Sequence, residues 1–114
     1  MTEKEKMLSG QLYRAEDGEL SALRFEARNL CHVFNRTNEN QKSYRQKIIR
    51  ELLGRVGTNV NIHPSFRCDY GFPITIGNNF YANYDCIILD VCPVTIGDNV
   101  MFGPRVCIYT AGHP

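Results

Sequence analysis

The segment from Pro73 to Ile88, PITIGNNFYANYDCII, returns twenty residues later as PVTIGDNVMFGPRVCI, Pro93 to Ile108. Six of the sixteen positions are identical (Pro73/Pro93, Thr75/Thr95, Ile76/Ile96, Gly77/Gly97, Asn79/Asn99 and Ile88/Ile108), and most others keep their apolar or polar character. A repeat near this period marks stacked structural units. Within each copy an apolar residue recurs every sixth position: Ile76, Ala82 and Ile88, then Ile96, Phe102 and Ile108. Three sixes and two extra residues make one copy, which describes a triangular coil with three short sides, the unit of a parallel β-helix. Asn and Gly between apolar runs also signal hairpins, but an antiparallel meander does not require a six-residue register.

In such a coil the sixth-position residues point inward and stack into aliphatic layers, while Gly77, Asn78, Asn79, Gly97, Asp98 and Asn99 are expected at corners with unusual φ/ψ. A solenoid buries little within one coil and depends on its neighbours, so an uncapped end is a liability. The fold expected is mainly β, a parallel β-helix behind a small helical module, with a truncated solenoid: the chain stops at Pro114, just after the second copy.

The character of the chain changes at about residue 56, which divides it into a helical module, 1–56, and the first solenoid coils, 57–114. Thr2 with Glu5 makes a capping box opening a short helix that ends at Ser9-Gly10. A second helix is predicted from Glu19 to Asn35, with Leu20, Leu23, Ala27, Leu30, Cys31 and Phe34 on one stripe. A third is predicted from about Gln41 to Leu53, with Tyr44, Ile48, Ile49, Leu52 and Leu53 on one face and Gly54 as its C-cap. The basic residues of the polar faces (Arg24, Arg28, Lys42, Arg45, Lys47, Arg50) read as solvated surface.

A net charge of +1 gives no electrostatic pull toward nucleic acid or an anionic membrane. No stretch approaches the roughly 20 apolar residues of a membrane span, and the start MTEKEKMLSG is charged where a signal peptide is apolar, so the expected location is the cytoplasm. The five cysteines (Cys31, Cys68, Cys86, Cys92, Cys107) are odd in number and contain no C-x-x-C pair; they read as small buried hydrophobes, with no metal site expected.

His113, in TAGHP, follows the second copy and so belongs to a corner or loop beyond a β-helix side. An imidazole is the natural general base for a hydroxyl near neutral pH, and Gly112 before it permits close approach. His32 and His63 read as structural. The amide of Asn83, in YANYD, suits donation to a developing oxyanion; it equally suits a corner ladder. Asp17, Asp69, Asp85 and Asp90 fall in turns or corners, where carboxylates can orient the hydroxyls of a polyol. Asp17 is equally an N-cap for the second helix, and Asp85 a plain corner residue.

The block FRCDYG from Phe66, followed by IGNNFYANYDCIILDVCPVTIGDNVMFGP and IYTAGHP, together with the N-terminal TEKEKMLSGQLYRAEDGEL, closely resembles the maltose O-acetyltransferases and, more broadly, the galactoside and nodulation sugar acetyltransferases. The resemblance covers essentially all of the chain. It implies a left-handed parallel β-helix, an exception to right-handed crossovers, assembled as a homotrimer with active sites between subunits. It also implies acetyl transfer from acetyl-CoA, a co-substrate and not a bound cofactor, to a sugar hydroxyl. By that resemblance His113 is the general base, and Asn83 stabilises the oxyanion and contacts the acetyl-CoA. Asp17, Asp69, Tyr81 and Asp90 then contact the sugar, Tyr81 by stacking. Galactoside enzymes carry paired aspartates where this chain has Asp90-Val91, and a serine where it has Asp69. Glucose or maltose is therefore the acceptor expected over a galactoside.

The resemblance further implies coils beyond the histidine that supply most of the donor site. The 114-residue chain is expected to be a fragment that holds the acceptor half and to be inactive alone. The alternative is a non-catalytic trimerisation or scaffold module of hexapeptide type. A zinc enzyme of carbonic-anhydrase type would need several histidine ligands, and the solenoid half offers His63 and His113.

Overall fold

The computed structural model describes residues 1–111. Three helices, α1 (Glu3–Leu8), α2 (Gly18–Asn35) and α3 (Lys42–Leu52), precede short strands β1 (Arg55–Val56), β2 (Asn61–Ile62), β3 (Phe66–Cys68), β4 (Ile74–Ile76), β5 (Tyr81–Ala82), β6 (Cys86–Leu89), β7 (Val94–Ile96), β8 (Met101–Phe102) and β9 (Cys107–Tyr109). The strands form three parallel sheets, ordered β1-β4-β7, β2-β5-β8 and β3-β6-β9. Every pairing is offset by twenty residues: Val56↔Ile76↔Ile96, Ile62↔Ala82↔Phe102, and Cys68↔Ile88↔Ile108. Three coils are therefore stacked where the repeat alone displays two. The first runs from Arg55 and escapes the eye because it keeps little beyond Gly57 and Asn59 of the motif.

The inward stacks form one apolar core. Val60, Ile62, Phe66, Ile74, Ile76, Phe80, Ala82, Cys86 and Ile88 are all buried, and Phe80 meets Phe102 edge-on at 5.1 Å between ring centroids. Ala82 stands between Ile62 and Phe102 in its stack, so the small residue leaves room for the large ring above it. At one corner Asn59, Asn79 and Asn99 adopt φ of 54°, 59° and 60°, the left-handed region that asparagine tolerates. Their side chains join into a ladder, Asn59 Nδ2 donating to Asn79 Oδ1 at 3.0 Å and Asn79 Nδ2 to Asn99 Oδ1 at 2.9 Å. Asp85 (φ 63°) and Arg105 (φ 62°) turn a second corner in the same way.

The glycines of this motif serve a different purpose from the one expected. Gly77 lies outside the left-handed region; its missing Cβ makes room for the next coil, since an added methyl would collide with Asp98 Oδ1 and lie 2.8 Å from the Gly97 carbonyl carbon. Gly54 likewise is not the helix C-cap. Leu53 caps α3 in an extended conformation, and Gly54 is small because the carbonyl of Phe72 occupies the space a Cβ would take.

The helical module caps the first coil. The capping box of Thr2 and Glu5 is formed, with Glu5 N donating to Thr2 Oγ1 at 3.0 Å and Thr2 N to Glu5 Oε1 at 2.9 Å. Helix α2 buries Leu20, Ala27, Cys31 and Phe34; the last three share a core with α3 and the coils. Asn35 imitates a further strand beside β3: its Nδ2 donates to Phe66 O at 3.0 Å and its Oδ1 accepts from Phe66 N at 2.8 Å. Open strand edges are thus paired or covered where the solenoid begins. Several basic residues expected to be solvated are structural instead. Arg45 is buried and donates to Thr37 Oγ1 at 2.7 Å, Arg24 donates to the Tyr70 hydroxyl at 2.7 Å, and Arg50 donates to the carbonyls of Val56 and Gly57 at 3.0 and 2.9 Å. Tyr44, placed on the apolar face by spacing, is exposed. No described helix is long and apolar enough to cross a membrane.

Candidate functional site

Two corners of the coil carry the residues of interest. At the first, the turn after β3 holds Asp69, and Asp90 lies one coil above. Asp90 is fully buried, and its carboxylate accepts from three successive backbone amides: Asp69 N at 2.8 Å, Tyr70 N at 3.0 Å and Gly71 N at 2.6 Å. Expected as a sugar contact, it is a clamp instead, because a carboxylate enclosed by its own backbone has no face left for a ligand. Asp69 is half-buried beside it. Burial pushes the Asp69 carboxyl above its ordinary pKa, the charge of Asp90 adds to the rise, and Arg28 and Arg24 oppose it. Asp17 caps α2 by accepting from Leu20 N at 3.2 Å, as expected of an N-cap, and remains partly accessible.

Between the end of α1 and the corner following β6 and β9 runs an open groove of about 390 Å³, lined chiefly by Met7, Gln11, Tyr13, Val91, Cys92 and Thr110. Thr110 is fixed there, donating to Leu89 O at 2.7 Å and accepting from Cys92 N at 3.0 Å. Ala111 also lines the groove; His113 lies outside the described residues.

The second corner follows β5. Tyr81 is half-buried, and its ring and that of Tyr84 each lie 5.4 Å from the His63 ring. Asn83 is half-buried, its Oδ1 accepting from Tyr84 N at 2.8 Å, while its backbone N–H donates to Phe102 O at 3.1 Å. With the carbonyl end of the amide held in this way, Nδ2 has no partner among the described residues and is available as a donor. His63 is half-buried beneath it, Nδ1 lacking a hydrogen bond and lying 3.8 Å from Glu39 Oε1. Asp85, one position beyond Tyr84, is exposed and serves the left-handed corner.

Within one chain, strand β6 separates the two sets: Tyr81 and Asn83 precede it, whereas Asp90 and the Asp69 turn lie beyond its other end. Asp69 and the groove, which Tyr13 and Val91 line, therefore belong to one neighbourhood and Asn83 to another. Sequence reasoning does not single out Arg24, Arg28, Tyr13 or Thr110 as site residues. The one available signal is the four-residue spacing of Arg24 and Arg28, which puts both on one face of α2. Among the described residues no three His, Cys, Asp or Glu side chains converge as a metal site requires.

Comparison with known proteins accounts for both halves. Residues 6–57 match the family model of the maltose acetyltransferase hexapeptide capping motif. A maltose O-acetyltransferase from Clostridium difficile 630, solved by crystallography, is 54% identical with a TM-score of 0.98, the match covering 100% of this chain and 61% of that one. A hexapeptide-repeat acetyltransferase from Vibrio cholerae, solved in complex with acetyl-CoA, is 37% identical with a TM-score of 0.87 over 100% of this chain and 61% of that one. Nodulation protein L of Rhizobium meliloti is 47% identical over 113 residues, 99% of this chain and 62% of its own. The chain spans 59%, 62% and 60% of the length of three curated relatives it matches. Its three parallel three-stranded sheets are those of the left-handed β-helix that these enzymes share. From the capping motif to the last described coil, the chain is similar to hexapeptide-repeat acetyltransferases, of whose length it spans about three fifths.

Proposed function

We propose that this chain is the acceptor-binding part of an O-acetyltransferase that moves an acetyl group from acetyl-CoA to a hydroxyl of a sugar such as maltose or glucose. The observation that carries the reading is the free donor on Asn83, held at a corner in a chain 54% identical to a maltose O-acetyltransferase. His113 takes the proton of the acceptor hydroxyl as its oxygen attacks the thioester carbonyl. The Asn83 amide donates to the oxyanion that develops there, where a preorganised donor is most effective. Collapse breaks the carbon–sulfur bond, and the imidazolium returns its proton to the CoA thiolate.

Asp69, with Arg24 and Arg28 behind it, accepts from acceptor hydroxyls, as does Asp17. Tyr81 offers an aromatic face to the sugar ring. Asp90 positions Asp69 by gripping its backbone. Because the two sets of residues lie on different corners of one chain, a working site takes Asn83 from one subunit and the acceptor groove from another, in a homotrimer. Acetyl-CoA is a transient co-substrate.

The test is thiol release from acetyl-CoA in the presence of maltose or glucose. The 114-residue chain alone is expected to be silent, and a chimera that appends the remaining coils of the Clostridium difficile relative is expected to turn over. Loss of that turnover in His113→Ala, with folding and trimer intact, supports the reading; undiminished turnover refutes it.

A further inference from the structure

We propose that Cys31 and Cys68 form a thiol-oxidation site, at which hydrogen peroxide or a similarly small neutral peroxide converts two facing thiols into a disulfide joining α2 to β3. The inference does not depend on the acetyl-transfer reading. The two residues stand 37 positions apart in sequence, yet their Sγ atoms are 3.9 Å apart, with both residues buried (5% and 7% exposed). A disulfide requires about 2.05 Å between sulfurs, so closure asks for a shift of roughly 2 Å shared between two side chains. Among the described residues no other two sulfurs lie within hydrogen-bonding reach.

The pair is buried but not sealed. A hollow of about 260 Å³ lined by Arg28, Cys31, Arg67, Cys68, Asp69 and Ile87 opens onto it, which suits a small uncharged oxidant better than a protein partner. The two thiols are also unequal. Contact with the Cys68 thiol lowers the Cys31 pKa against the opposing effect of burial, with the Cys68 backbone and the Arg67 guanidinium assisting. The same contact, together with burial, raises that of Cys68. Cys31 is therefore the group that meets the peroxide. Its thiolate attacks one peroxide oxygen, the oxygen–oxygen bond breaks, and Cys31 sulfenic acid and hydroxide form. The Cys68 sulfur then attacks the Cys31 sulfur, and the sulfenic oxygen leaves as water, taking the Cys68 proton. Two thiols lose two electrons and one peroxide gains them.

The test oxidises the chain with hydrogen peroxide, unfolds it, alkylates the remaining thiols and maps the peptides by mass spectrometry. The expected result is a Cys31–Cys68 link that dithiothreitol reverses and that either Cys31→Ser or Cys68→Ser abolishes. Closing a loop of this length should raise Tm on the order of 10 °C in the oxidised chain, with the gain lost on reduction. Recovery of both residues as alkylated free thiols under conditions that consume the exposed Cys107 would overturn the proposal, and so would linkage of either residue to a different cysteine. The mapping uses the unsubstituted chain, so its outcome does not depend on whether either serine variant folds.

Discussion

Asp90 reaches back one full coil to accept the backbone amide of Asp69 at 2.8 Å, and the next two amides of the turn converge on the same carboxylate. Replacing Asp90 by Ala strands three amides in the interior. The expected loss is about 3–5 kcal/mol, with Asn losing less because it retains one acceptor oxygen. Urea denaturation of the two variants checks the size and the order.

Asp69 contributes in the opposite direction. Burial and Asp90 raise its folded pKa, so the native state binds a proton more readily than the unfolded chain does, and its ionised form costs stability at neutral pH. Stability from this group therefore rises as pH falls through the raised folded pKa toward the unfolded value of about 3.9. Asp69→Asn is expected to raise Tm at pH 7, with the advantage over the unsubstituted chain shrinking on acidification. In the active chimera the same change should raise the acceptor KM roughly tenfold or more, through loss of a charged hydrogen-bond acceptor. A variant both more stable and a poorer binder is the signature expected of a functional carboxylate.

Gly77 and Gly97 occupy the same place in successive copies but should respond differently. Gly77→Ala drives a methyl into Asp98 and the Gly97 carbonyl, at a cost of about 2–4 kcal/mol, whereas an added Cβ on Gly97 meets nothing within 4 Å. In the 114-residue chain Gly97→Ala is expected to shift stability by less than about 0.5 kcal/mol. Thermal unfolding of both variants decides it; equal losses would mean that the coils are not spaced at this corner as the close approach of Gly77 to Gly97 requires.

Asn83→Ala in the active chimera is expected to lower kcat by about 10²–10³, the loss typical of one oxyanion donor. The acceptor KM should change little, because the donor is used chiefly in the transition state. Asn83→Asp keeps the acceptor for Tyr84 N but places an anion where negative charge develops, so it is expected to be at least as damaging. Steady-state kinetics of the two variants test the assignment.

Much of the architecture is legible in the repeat because a β-helix writes its geometry into spacing: Ile76, Ala82 and Ile88 point inward as their six-residue period requires. Helix α2 begins one residue before its predicted start, since Asp17 supplies a true cap. The hidden parts arise from contacts between distant positions. Arg55–Val56 opens a coil whose apolar stack is read only once Ile76 lies above it. Asp90 reads as a ligand contact because a corner aspartate has the same local signature whether it faces water or three buried amides. Arg45 reads as solvated by helical phase, yet Thr37 and Glu39 fold over it from the preceding loop. Asn83 is visible as a candidate, but the hydrogen bond from Tyr84 N that orients its amide is not.

The asparagine ladder of residues 59, 79 and 99 has a consequence for how such a chain can change its length. Deleting a single residue inside a coil rotates the next asparagine off its neighbour and turns an inward aliphatic toward water, so both the polar spine and the core lose registry at once. Removing or adding a whole twenty-residue period leaves every rung facing another. Divergence in this solenoid should therefore proceed in whole-coil quanta, with shorter insertions confined to corners that carry no rung.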